Sequence, residues 1–174
     1  MIKNSWKYRL ALIVPIVAAS AGPIAVTPTA AAADYNSQAS ARRSTMPETD
    51  DTASARHALT LVNQERARAG CASLWVVPKL QIPAEQQSRD QATRDRFGHD
   101  GADGSTVDSR LSGLGYSRWG ENVVQSQSAQ GAVNFWSNSP RHRANMLNCV
   151  YKETGLALAR SDSGKLYWTQ TFGG

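Results

Sequence analysis

No stretch of this chain is apolar for the ~20 residues that a bilayer-spanning helix needs. Its longest apolar run, residues 10–21, is about a dozen residues long. That length falls within the ~7 to 15 residues of a secretory signal core. Lys3, Lys7 and Arg9 supply a basic start, Pro15, Gly22 and Pro23 interrupt the run, and Ala31 and Ala33 fit the small-residue rule at a cleavage site. Residues 1–33 are therefore expected to be a signal peptide, with a mature start at Asp34, the alternative being a retained anchor. No cysteine stands beside that cleavage site, so a lipoprotein anchor has no acceptor, and no stable membrane anchor is expected after cleavage.

A strong charge of one sign is also missing. The signal segment holds three of the 19 Lys and Arg and none of the 14 acids, so 16 basic residues stand against 14 acidic ones in the remainder, a net +2. Nothing forms a Lys/Arg stripe interleaved with aromatics, which argues against nucleic acid as a partner. Arg89, Arg94 and Arg96 fall with Asp90 and Asp95 on one expected helix, a pattern that reads as a solvated, charge-paired face.

Residues 34–51 contain almost no large apolar side chain and are rich in Ser, Thr, Ala and Gln. Such a segment buries too little surface to offset its ordering entropy, and it reads as a disordered linker. Residues 52–174 suffice for one domain with its own core. Cysteine is scarce, with only Cys71 and Cys149. An even count in an exported chain points to one disulfide, worth roughly 4 kcal/mol for so long a loop in the chain-entropy model. A catalytic thiol is disfavoured because neither cysteine lies in a nucleophile signature.

Periodicity places the elements. Ala55, Leu59, Val62 and Ala69 share one face of a helix over 52–69, with Asp51 or Thr52 as N-cap and Gly70 as stop. A short apolar run over 74–77 ends at Pro78, and a second helix is expected over 82–96 with Pro83 in its first turn. Residues 106–113 give one or two turns capped by Ser105, and Val123-Val124 marks a strand fragment. Ala129, Ala132, Val133 and Trp136 make an apolar stripe on a helix over 128–138, and Pro140 restarts a short helix. Alternation over 154–159, a turn at 161–164 and a Tyr/Trp/Thr-rich run over 166–172 form a hairpin. The class is α+β, with helices covering a small antiparallel sheet.

Three runs then draw attention: Phe97-Gly98-His99, Gly120-Glu121-Asn122, and Ser139-Pro140-Arg141-His142-Arg143-Ala144-Asn145-Met146-Leu147. Together with Asn63-Gln64-Glu65-Arg66, Gly70-Cys71, Gly115-Tyr116, Trp136, Tyr167-Trp168-Thr169-Gln170 and Phe172-Gly173, they resemble, in order, the bacterial branch of the CAP superfamily. This superfamily of SCP domains takes in cysteine-rich secretory proteins, antigen 5 and pathogenesis-related 1 proteins. The resemblance implies an α-β-α sandwich and a secreted, extracellular protein. It also implies a cleft that in eukaryotic relatives carries two His and two Glu and can bind a divalent metal such as zinc. His99, Glu121 and His142 match three of those positions, and the fourth, a glutamate there, is Ser139 here.

Two imidazoles and a carboxylate are chemically sound zinc ligands. However, His99 and His142 come from separate segments, without the i, i+4 spacing of a His-Glu-x-x-His helix. A carboxylate beside an imidazole raises its pKa, so the same trio could be a structural ion network. Ser139, His142 and Glu121 also contain the residue types of a catalytic triad. Ser139 lacks a Gly-x-Ser-x-Gly elbow and reads as the N-cap of the short helix. Trp136, Tyr167 and Trp168 read as core rather than as ligand-stacking aromatics, and His57 is assigned no role.

The function expected is a binding module whose cleft is lined by His99, Glu121, His142 and Ser139. Its ligand is unnamed, a divalent metal or lipid among the candidates, and its partner could be a lipid, cell-envelope or host component. The alternatives are a metal-dependent hydrolase or peptidase, with Glu121 as general base and both His holding the ion, and a purely structural exported protein.

Overall fold

A computed structural model of the chain describes residues 50–174, so the expected signal peptide and nearly all of the expected linker lie outside the described residues. The elements run α1 (Asp50–Arg68), β1 (Trp75–Val76), α2 (Pro78–Thr93), α3 (Val107–Leu111) with a 3-10 turn (Ser112–Leu114), β2 (Trp119–Gln125), α4 (Ala129–Asn138), α5 (Pro140–Met146), β3 (Glu153–Arg160) and β4 (Leu166–Gly173). The strands form one sheet in the order β1-β3-β4-β2.

β3 and β4 form the expected hairpin, with Leu156 opposite Gln170 and Leu158 opposite Trp168. β2 pairs antiparallel with β4, but β1 runs parallel to β3, so the sheet is mixed rather than purely antiparallel. A crossover through α2 and beyond separates the two parallel strands, as parallel pairing requires. β4 is central and buried along its whole length because both its faces are covered. Thr169 and Thr171 meet α2, through Gln91 Nε2 at 2.8 Å and the Leu80 carbonyl at 2.9 Å. Trp168 and Phe172 point the other way into a core with Val62, Val133, Trp136 and Tyr151. Full burial of side chains this large contributes roughly 1.5–3 kcal/mol each. α2 thus covers one face, and α1, α4 and α5 the other, giving the α-β-α layering.

α2 lies almost on the sheet. A Cβ at Gly155 would stand 2.2 Å from the Leu80 carbonyl oxygen, so this strand position admits only glycine without a shift of the helix.

Several local expectations shift. Asp50 and Asp51 are already helical, so neither Asp51 nor Thr52 caps α1. The buried stripe of α1 is Ala58, Val62 and Arg66, with Ala55 and Leu59 partly buried beside it and Ala69 exposed. Arg66 holds a core position because its guanidinium donates to four backbone carbonyls, of Ala72, Met146, Asn148 and Tyr151, at 2.8–3.0 Å. Gly70 at φ +76° ends the helix, as expected. α2 starts at Pro78, in the first helical position where its missing N–H costs nothing, and stops at Thr93. Asp95, placed on that helix by the sequence reading, instead takes φ +49° and binds Lys165 Nζ, Ser163 Oγ and Tyr167 Oη of the hairpin. Those bonds hold its carboxyl down at about 2. The cap of α3 is Thr106, in a reciprocal capping box with Ser109, rather than Ser105. α4 matches its stripe, with Ala129, Ala132, Val133 and Trp136 all buried and Ser128 as cap. Cys71 and Cys149 are disulfide-bonded across 78 residues of sequence.

Candidate functional site

The candidate site residues gather around β2, the edge strand farthest from β1. Successive residues of a strand point to opposite faces, so Glu121 and Asn122 serve different sides of the sheet. Glu121 lies opposite Thr171, on the α2 side, and Asn122 opposite Gln170, on the α5 side. The three titratable groups expected to converge are thereby divided, His99 pairing with Glu121 on one side and His142 with Ser139 on the other.

On the first side, the segment after α2 carries His99. Gln87 Nε2 donates to the Gly98 carbonyl at 2.7 Å, and the Gly98 amide donates to Gln91 Oε1 at 3.3 Å, which fixes the turn from within α2. His99 Nδ1 then lies 2.9 Å from Glu121 Oε1. The carboxylate is fully buried, and the residue that compensates it is one the sequence reading missed. Arg110 Nη2 donates to Glu121 Oε2 at 2.8 Å and to Oε1 at 3.0 Å, and also to the His99 carbonyl at 2.8 Å. Its guanidinium is nearly buried, and the other amino group reaches Ser105. A signal for Arg110 was present in the sequence: no acid stands three or four residues away on α3, so a buried Arg there must find its anion elsewhere.

On the second side, α5 carries His142. Ser139 holds the N-cap position of this helix, yet its hydroxyl caps no helix amide; Ser139 Oγ lies 2.9 Å from His142 Nδ1 instead. Asn122 Nδ2 donates to the His142 carbonyl at 2.9 Å, and Asn145 Nδ2 donates to the Glu121 carbonyl and to Asn122 Oδ1. These bonds bolt α5 to β2. The His142 ring packs against the exposed Phe135, with centroids 5.5 Å apart. Its pKa is lowered, first by burial and then by the charge of His99, and not raised by a carboxylate as the trio had suggested. A triad is not assembled, since Glu121 partners His99 and Ser139 partners His142. Trp136, Tyr167 and Trp168 are buried core residues, and His57 is exposed on α1.

The ligand set His99, His142 and Glu121 does not fit one divalent ion. Both oxygens of Glu121 are already engaged, by Arg110 and by His99. Among the described residues, no group of three or more His, Cys, Asp or Glu is placed to hold a metal. Each imidazole has its Nδ1 engaged, which leaves Nε2 of each ring to meet a ligand.

A three-layer α+β domain, with His99 and His142 each held by one partner beside an edge strand, is the architecture of the SCP class. The model of the cysteine-rich secretory protein family (CAP) matches residues 59–172, and the chain belongs to that family. Among its relatives is the uncharacterized protein YkwD of Bacillus subtilis, 32% identical over 164 residues, covering 88% of this chain and 62% of that protein. The chain thus spans less than two thirds of that relative's length. Solved structures with the same fold include an extracellular protein containing an SCP domain from Bacillus anthracis, with 25% identity, a TM-score of 0.61, and coverage of 74% of this chain and 45% of that one. Another is an outer surface protein of Borrelia burgdorferi, with 18% identity, a TM-score of 0.65, and coverage of 74% and 98%.

Proposed function

We propose that the chain is an exported CAP-domain binding module that seats a polar group of its ligand between His99 Nε2 and His142 Nε2. The observation that carries this reading is the Arg110–Glu121 pair. A general base must reach the proton it removes and have a lone pair free to take it. Glu121 is buried, and both of its oxygens are occupied, so it serves as the anchor that orients His99. Ser139 in turn orients His142, whose lowered pKa leaves it a neutral hydrogen-bonding group at pH 7. The exposed Phe135 beside it offers an apolar flank, which suits an amphipathic ligand such as a lipid better than a bare ion. Export is supported by the Cys71–Cys149 disulfide, which persists in oxidising compartments, and by the extracellular relative from Bacillus anthracis.

The test is to follow the His99 and His142 ring resonances of the full chain against zinc chloride and against vesicles of anionic, zwitterionic and sterol-containing composition. Ring shifts that saturate with one vesicle type and disappear in His142→Ala support a lipid-binding module. Zinc-dependent turnover of a peptide and ester library, lost on chelation and in Glu121→Gln, would replace the reading with a hydrolase.

A further inference from the structure

A cavity of about 330 Å³ lies at the start of β2, lined by Asp108, Ser117, Arg118, Trp119, Asn148 and Tyr151, none of which belongs to the His99 and His142 site. That volume is at the small end of the ~300–1,000 Å³ found for ligand pockets, so its occupant is small. Its walls are held from several elements. Trp119 Nε1 donates to Asp108 Oδ1 at 2.8 Å, which ties the indole to α3. The Tyr151 hydroxyl donates to the Trp119 carbonyl at 2.8 Å, and its ring stacks on Phe172 with centroids 5.3 Å apart. The Ser117 and Arg118 amides donate to the Gly174 carbonyl at 3.1 and 3.0 Å, and the Ser117 hydroxyl donates to the same oxygen. The groups left over are mainly charged. Among the described residues, neither the Arg118 guanidinium nor Asp108 Oδ2 has a hydrogen-bond or ion-pair partner, and the two do not pair with each other. Burial raises the pKa of the Tyr151 phenol and the charge of Arg118 opposes the rise, which places that charge at the cavity wall. Asn148 Oδ1 accepts from the Val150 amide at 3.0 Å, and its Nδ2 has no acceptor among the described residues.

We propose that this cavity binds a small zwitterion of the α-amino acid class, its carboxylate on Arg118 and Asn148 Nδ2 and its ammonium between Asp108 and the face of Trp119. The two unpaired charges select the occupant. A guanidinium matches a carboxylate through two parallel N–H donors. An ammonium is attracted both by a carboxylate and by the face of an indole. An anion alone would cover Asp108 without giving it a counter-charge, and a cation alone would do the same to Arg118. Either leaves one charge desolvated and unpaired, and a neutral sugar leaves both so. The bonds that already hold Trp119, Tyr151 and Ser117 keep the walls in place before the ligand arrives, which lowers the entropy lost on binding.

The probes are L-alanine, propionate and ethylamine, the second being alanine without its ammonium and the third alanine without its carboxylate. Each is titrated into the full chain at pH 7 while the Trp119 indole N–H and the Asn148 side-chain amide resonances are followed. L-alanine is expected to shift both resonances to saturation, and loss of either charged contact to weaken binding about tenfold, so propionate and ethylamine both bind more weakly by that factor. Arg118→Gln should remove the advantage of L-alanine over ethylamine. Asp108→Asn, which keeps an acceptor for the indole, should remove its advantage over propionate. Both positions are exposed, so the melting temperature should not change in either variant. Absence of shifts at high millimolar L-alanine would overturn the proposal, as would propionate or ethylamine binding as tightly as L-alanine, or L-alanine binding that neither variant weakens. Shifts of the same resonances by N-acetylglucosamine and not by L-alanine would assign the cavity to a sugar, which also overturns the zwitterion assignment.

Discussion

Arg110 Nη2 contacts both carboxylate oxygens of Glu121, at 2.8 and 3.0 Å, where Glu121 is fully buried and Arg110 almost so. This pair neutralises the Glu121 carboxylate, and through the His99 carbonyl it ties the 98–105 loop to β2.

Arg110→Met should destabilise the domain by roughly 3–5 kcal/mol, because it removes the guanidinium that compensates a buried carboxylate. Adding Glu121→Gln to Arg110→Met removes the stranded charge and should recover much of the loss. Urea denaturation of the wild type, the two single variants and the double variant at pH 7 measures both effects.

His142 should titrate below the ordinary histidine range. Burial disfavours its charged form in the folded state, so the unfolded chain binds more protons between the lowered folded pKa and 6.5. Its contribution to stability is therefore complete above about 6.5 and is lost as pH falls from there through the folded pKa. The ring resonance of His142 and the urea midpoint as a function of pH report this directly. In His99→Ala the His142 midpoint should move up while staying below the ordinary value, since burial is the larger cause.

Arg66 is caged by four carbonyls, no ion-pair partner stands against it among the described residues, and burial lowers its pKa. Arg66→Met leaves those acceptors without a donor and should cost on the order of 3–5 kcal/mol. Arg66→Lys keeps the charge and some of the donors and should cost less than Arg66→Met, though still something, because one ammonium cannot reach all four oxygens. Chemical denaturation distinguishes the two.

The disulfide closes a loop across 78 residues. Replacing Cys71 and Cys149 with serine should cost roughly 4 kcal/mol in the chain-entropy model. A urea midpoint that does not change would show that the cage around Arg66, which gathers the same ends of the chain, already supplies the constraint.

Local pattern carried much of the fold. The stripe Ala129, Ala132, Val133 and Trp136 needs only the helical period, and the β3–β4 hairpin needs only alternation and a Gly-bearing turn. The parallel pairing of Trp75 with Glu153 was not legible, because it joins residues far apart in sequence and leaves no local periodic trace. Asp95 was misplaced on a helix because its partners, Lys165 and Tyr167, lie on the distant hairpin. The candidates His99, Glu121, His142 and Ser139 stand out in the sequence, but their partnerships with Arg110 and with one another do not.

The sequence by itself determined the helices, the hairpin, the pairing of its two cysteines and the family, since each follows from period, count or ordered motifs. Only the tertiary structure decided that Glu121 is held by Arg110 and that His142 is oriented by Ser139. Those facts depend on which faces of β2 their neighbours reach, and strand register, unlike helical period, is set by contacts between distant segments.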